Sequence, residues 1–380
     1  MKKTKLLLYY LLYLVLGVLI GLLSPILLKA TLNQETFSKT DGNMFFLLAV
    51  SFLVSWVLGV MIHEAGHLTA GLLSHYRFIS YRFYSITITH SNSGWECRYY
   101  KMPGTSGQCL MEPTLPCDQQ PCLLYHAGGV LANLLAAALC ILLMYMLKPQ
   151  TFLFQSMLFI MIIFNMLIAF SNGIPLSNQG LSNDGYNFLT SRRDKEYRQY
   201  LCNALKIQAK LTKGEAMHSI PESYFKLPEH LDYTKYYHFE AILNLISYKQ
   251  SCGQIDDAKA LVQSLVPYEE KMGYFRFLYL YEKLYYQLMD GDVEQVKAAL
   301  HEKVVRRYLK KMKKMPPTLR LYMGEALYLN HDPLQAETFY KQARAMQPKY
   351  AVPGICQLEL QLMDAMLQDQ KGNQAASVQE

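Results

Sequence analysis

The chain has 380 residues and a formal net charge of +7, from 37 basic and 30 acidic side chains. Its mean hydropathy of +0.03 averages two unlike halves, because residues 1–190 hold 17 charged side chains and residues 191–380 hold 50. A uniformly soluble globule is excluded, and a basic excess gathered beside apolar runs makes no case for nucleic acid.

Four runs are long enough to cross a bilayer: Leu6–Leu28, Met44–Ile62 (its helix continuing to about residue 67), Leu123–Leu147 and Thr151–Phe170. Lys2, Lys3 and Lys5 precede the first. Its uncharged core is too long for a secretory signal and no small-residue cleavage site follows, so a retained helix is expected. The last two runs are separated only by Lys148-Pro149-Gln150 and form a helical hairpin. In a four-span arrangement the N-terminal lysines share one side with two other groups, Arg77, Arg82, Arg98 and Lys101, and Arg192, Arg193, Lys195 and Arg198. Only Lys29, Lys39 and Lys148 fall on the other. The expectation is a multi-pass cell-membrane protein with its N-terminus and C-terminal domain in the cytoplasm.

His63-Glu64-Ala65-Gly66-His67 closes the second run. Residues four apart share a helix face, so both imidazoles can meet one metal ion. Glu64 projects beside them and can activate water as a general base. A chance pentapeptide with packed histidines is the alternative. Two histidines and a glutamate are costly beside hydrocarbon unless they serve a function, which favours metal binding.

A zinc site needs a further protein ligand. Asp184, in Asn183-Asp184-Gly185, is the only acidic residue between Asp118 and Asp194 and is the best candidate. An Asp-Gly turn is compatible with that assignment. It follows Asn172-Gly173-Ile174-Pro175. Within the third run, Gly128-Gly129-Val130-Leu131-Ala132-Asn133 offers a small-residue face with one amide. Helix packing and a catalytic contribution both remain open for Asn133.

With these motifs in this order, the chain resembles the site-2 protease class of intramembrane zinc metalloproteases over about residues 44–190. The resemblance implies that His63, His67 and Asp184 hold one Zn2+ per chain and that Glu64 activates water. It also implies substrate or transition-state support from Asn133, Asn172 and Pro175. The chain departs from the family pattern in two places. Val130 stands where the middle motif usually has proline, and Asn183 precedes Asp184 after a longer gap.

Between the second and third runs lies a loop, residues 74–121. Arg77–His90 is rich in β-branched and aromatic residues, and Trp95–Lys101 can return after the turn Asn92-Ser93-Gly94. A β-hairpin is expected. Two uses stay open: the resemblance implies pairing with an extended substrate, whereas a plain hairpin needs no substrate contact. Cys97, Cys109, Cys117 and Cys122 lack the spacing of common structural zinc sites, and a cytoplasmic loop keeps thiols reduced. Free thiols are expected there, as at Cys140, Cys202, Cys252 and Cys356.

Residues 191–380 carry a helical repeat. Gly324, Leu327, Ala336, Tyr340, Ala343 and Pro348 match a tetratricopeptide pattern. Gly253, Gly291 and His331 mark helix-to-helix turns 38 and then 40 residues apart. Lys303–Lys314 gathers seven cations, which a solvated helix face or anionic lipid would explain.

The expected fold is mainly α: a polytopic membrane helical core with an inserted β-hairpin-like loop, then a soluble α-solenoid. Residues 1–190 form the membrane-embedded metalloprotease domain and 191–380 the cytoplasmic tetratricopeptide-like domain. The expected function is zinc-dependent intramembrane endopeptidase, acting on a membrane-embedded protein or peptide in regulated proteolysis or peptide maturation. Its partners are that substrate, the lipid bilayer and a protein docked on the repeats, with no nucleic acid. The alternative is an inactive membrane scaffold acting through the repeats. A transporter would need more intramembrane polar groups than this chain has.

Overall fold

Long uncharged runs without proline satisfy their backbone only as helices once water is absent. The computed structural model describes residues 44–91, 94–99, 107–148 and 151–377. The expected span at 6–28, loop residues 92–93 and 100–106, and the linker Pro149-Gln150 lie outside the described residues. The other three runs are helices α1 (Met44–Leu73), α2 (Leu123–Leu147) and α3 (Phe152–Gly173). Each is long and apolar enough to cross a membrane. Helix α1 continues past its expected end near residue 67, so the histidine motif lies inside the helix.

The chain divides into two compact units. One carries the described residues up to His67 together with Ala127–Ile174; the other carries Leu68–His126 and Pro175–Glu380. The first unit buries polar side chains alongside apolar ones such as Leu158 and Met161, and its exposed surface is strongly apolar. Ser51, Ser55, Asn133, Gln155, Ser156 and Asn165 are buried, whereas Phe52, Leu53, Leu135, Leu139 and Leu142 are exposed. Lipid is as apolar as a leucine core, so small and polar side chains hold such helices together. A Cβ at Gly66 would strike the Gly128 carbonyl and lie 2.5 Å from Ala132 Cβ. Glycine there lets two backbones nearly touch.

In the second unit the loop forms a four-stranded antiparallel sheet, β1 (Tyr76–Phe83), β2 (Ile86–Ser91), β3 (Gly94–Tyr99) and β4 (Gly107–Pro113), ordered β3-β2-β1-β4. The single expected strand over Arg77–His90 is two strands, because Tyr84 (φ 52°) starts a two-residue turn before β2. The expected return strand is β3, paired with β2 from Ile86↔Tyr99 to Ser91↔Gly94. Strand β4 was not expected. Its Gly-Gln-Cys-Leu-Met start has little alternation, and it pairs with β1 across a bulge between Phe78 and Ser80.

After a short hairpin, β5 (Ser177–Asn178) with β6 (Leu181–Ser182), come α4 (Asp184–Arg193) and α5 (Lys195–Lys213). Helix α5 packs on β4 through Ala209 against Ile79 and Leu110. Lys213 pairs with Glu112 at 2.6 Å, and Lys206 Nζ donates to the Leu115 carbonyl at 2.7 Å. Cys117 of the loop and Cys202 of α5 are disulfide-bonded across 85 residues, which corrects the expectation of free thiols at both. The partner was too far along the chain for local spacing to reveal. Cys97, Cys109 and Cys122 form no disulfide among the described residues.

The remainder is helical: α6 (Tyr236–Ser251), α7 (Ile255–Ser264), α8 (Phe275–Met289), α9 (Val293–His301), α10 (Lys303–Met312), α11 (Pro316–Gly324), α12 (Pro333–Met346) and α13 (Pro353–Ser377). The expected turns fall between helices at Gly253 (φ 75°), Gly291 (φ 80°) and His331 (φ 52°). Fully buried Ala258, Ala336 and Ala343 admit close helix contact. At the centre Arg320 Nη2 reaches Glu282 at 2.6 Å and its Nε reaches Glu359 at 2.7 Å. Its guanidinium lies 4.9 Å from the Tyr285 ring centre, and Gln250 Nε2 donates to Glu282 at 2.6 Å. Helices α6, α8, α11 and α13 thus share one buried polar cluster.

Removing one member of a buried ion cluster leaves charge uncompensated. Arg320→Met should therefore lower unfolding free energy by about 3–5 kcal/mol, measured as an earlier urea midpoint. Adding Glu282→Gln and Glu359→Gln should recover most of the loss. A second expectation concerns acid. Tyr237 donates to Glu196 at 2.6 Å, with His238 and Lys235 beside it, and together they hold that carboxyl down at about 2. A depressed folded value stabilises above the ordinary carboxylate range and is lost as pH falls toward 2. Glu196→Gln should flatten the acid limb of a stability-versus-pH curve.

Candidate metal centre

His63 and His67 lie four positions apart on α1, and their Nε2 atoms are 3.2 Å apart. Two nitrogens bound to one zinc at tetrahedral angles would be about 3.3 Å apart, so the two rings suit a shared ion. His63 and His67 are buried at 6% and 8% exposure, and Glu64 beside them at 8%.

Asn133 fixes which nitrogen of His63 is available. Its Nδ2 donates to the Gly59 carbonyl at 3.0 Å and to Asn165 Oδ1 at 2.7 Å. A carbonyl only accepts, so the amide group must face Gly59 and Oδ1 must face His63. That oxygen lies 2.7 Å from His63 Nδ1, which therefore carries the proton. The lone pair of a neutral ring then sits on Nε2, turned toward His67. Asn165 is oriented in turn by donating to the Met161 carbonyl at 2.8 Å.

Gly129 keeps the space before the rings clear. A Cβ there would stand 2.5 Å from His63 Cε1 and 2.6 Å from both Nε2 atoms. The third expected ligand joins the pair, since ligand atoms of His63, His67 and Asp184 all lie within 4.8 Å of one another. Among the described residues no other trio of histidine, cysteine or carboxylate groups is so arranged. Two neutral imidazoles and a carboxylate make a donor set suited to a divalent transition metal.

The segment before Asp184 explains the longer gap after Pro175. Gln179 (φ 53°) and Gly180 (φ 98°) form the tip of the β5–β6 hairpin. Asn183 closes it by accepting from Leu176 N at 2.9 Å, then caps α4 by accepting from Tyr186 N at 3.0 Å. An asparagine suits this position because its side chain satisfies an orphan helix donor.

No protein-family model matches the chain, and no curated protein or solved structure matches it. The geometry therefore has to carry the functional reading.

The three residues expected to support a substrate lie in different settings. Asn133 is fully buried, with its amide engaged by His63, Gly59 and Asn165. Asn172 turns back on its own helix, donating to the Ile168 carbonyl at 3.0 Å. Pro175 is exposed just after α3 ends. Asn165 was not foreseen, and Gly129 was expected only as part of a small-residue packing face. Asn165 had a readable signal, an amide deep inside an apolar run, whereas Gly129 offers only the absence of a side chain.

Loss of an outer hydrogen bond to a ligating histidine weakens metal binding by about 10–100-fold. Asn133→Ala should show such a loss in competition with a chelator, while Asn172→Ala should not. Asp184→Ala should release the tightly held ion. Full metal retention by that variant would remove Asp184 from the site.

Proposed function

We propose that this protein is a zinc-dependent endopeptidase that hydrolyses a peptide bond of a membrane-embedded protein or peptide. The observation that carries this is the trio His63, His67 and Asp184, in a chain whose histidines lie on a helix of membrane-crossing length. Buried Glu64 sits between the two histidines in sequence. A donor set of three, which leaves a fourth position for water, fits hydrolysis better than a closed structural site, which would use four protein ligands.

Zinc, when bound, would polarise the scissile carbonyl and acidify water. The chain's own residues do the rest. Asn133 holds the His63 ring with its proton on Nδ1, leaving Nε2 as ligand. A Glu64 carboxylate oxygen takes a proton from the attacking water and returns it to the amine nitrogen as the C–N bond breaks. Gly129 leaves room for these groups. The helical half would recruit or position the substrate. We place both termini in the cytoplasm on the distribution of lysine and arginine.

Glu64→Gln should retain the metal and lower cleavage of a helical membrane peptide by about 10²–10⁴-fold, the usual worth of a general base. Mass spectrometry of products from protein reconstituted in lipid reads this directly. Unchanged cleavage would falsify the mechanism. Retained metal with no cleavage by the native protein on any membrane peptide would favour the scaffold instead.

A further inference from the structure

Helix α10 is amphipathic in an unusual way. Val305 and Leu309 are buried, with Tyr308 and Met312 half-buried on the same side. Tyr308 stacks on Phe277 of α8, ring centres 4.0 Å apart and planes 9° from parallel. The inner face is thus fixed to the helical core. The outer face, with the turn that follows, carries Lys303, Arg306, Arg307, Lys310, Lys311, Lys313 and Lys314, all exposed. No acidic residue occurs from 303 to 314.

Several other cations of this helical half have partners. Arg276 meets Glu269, Glu270 and Glu302, Lys283 meets Glu269, Lys259 meets Asp290, and Lys341 meets Glu337. Glu302, the acid nearest α10, is turned to Arg276 at 3.6 Å. None of the ion pairs among the described residues uses any of the seven. Like charges at i,i+4, here Arg306 with Lys310 and Arg307 with Lys311, oppose the helix that carries them. Only Lys310 and Lys311 gain from lying in its last turn. Val304 adds an exposed aliphatic group, 56% accessible, at the edge of the cationic face.

We propose that this outer face binds anionic lipid headgroups of the membrane that anchors the chain. A row of cations with no ion-pair partner among the described residues calls for an external anion. The same chain carries three helices able to cross a bilayer, which keeps phosphate-rich headgroups at high local concentration. The charge rule also places this half on the leaflet side where anionic lipid is richest. Headgroup binding would seat the helical half on the membrane surface. The inference rests on membrane attachment alone and not on the metal centre, so either can fail without the other.

The test uses the full-length protein in nanodiscs of zwitterionic lipid alone or with about one-third anionic phosphatidylglycerol. Lysine acetylation is followed by mass spectrometry. Lys310, Lys311, Lys313 and Lys314 should react at least about threefold more slowly on anionic discs, and recover in about 0.5 M salt as screening shortens the interaction. Lys341 and Lys297, exposed and paired elsewhere, should react alike on both. In a variant carrying Arg306→Gln, Arg307→Gln and Lys310→Gln, the lipid-dependent protection of Lys313 and Lys314 should vanish. Equal reactivity of the four lysines on the two discs overturns the proposal, whether or not the variant folds. Protection by added RNA or polyglutamate, with none from anionic lipid, also overturns it.

Discussion

The hydrogen bond from His63 Nδ1 to Asn133 is the contact on which the rest of the membrane unit depends. In a core of apolar helices an unmet polar group is costly, so Asn133 must find partners for its oxygen and for both amide hydrogens. It finds them in His63, the Gly59 carbonyl and Asn165, on two other helices. The same bonds that lock three helices together also choose the histidine tautomer. Packing and chemistry are therefore one constraint, and small residues at Gly66, Gly128 and Gly129 are what let the backbones come close enough to meet it.

In the second unit Asp184 opens α4 directly after an irregular segment. The β5–β6 hairpin and the double use of Asn183 make that segment rigid without a large core. In the same unit the inserted loop and α5 are joined three ways, by the Ile79–Leu110–Ala209 contact, the Lys213–Glu112 pair and the Cys117–Cys202 bond. A disulfide is ordinary in oxidising compartments, whereas the topology we propose puts this segment in the cytoplasm. Reactivity of Cys117 toward a membrane-impermeant thiol reagent, before and after reduction, would report on both the bond and its side of the membrane.

Charge is handled in two ways within the helical half. Arg320 is buried among Glu282, Glu359 and Tyr285, where burial and the charge of Glu282 push Glu359 toward its protonated form while Arg320 opposes them. Such a cluster favours one packing of four helices over others. On α10 the cations stay in solvent with no ion-pair partner among the described residues, and Glu302, just before the helix, is turned to Arg276. The first arrangement looks inward and specifies the fold. The second is left for something outside the chain.

The sequence alone determined the apolar helices, the four-residue spacing that pairs His63 with His67, the isolation of Asp184 and the turns at Gly253, Gly291 and His331. All of these follow from local periodicity, the absence of proline or the scarcity of a residue type, which need no knowledge of neighbours. Only the tertiary structure decided that Asn133 orients His63, that Gly129 clears the space before two imidazoles, that the loop is four strands and that Cys117 meets Cys202. Each of these joins residues far apart in the chain, and such pairings are set by the packing of whole elements, which no local pattern encodes.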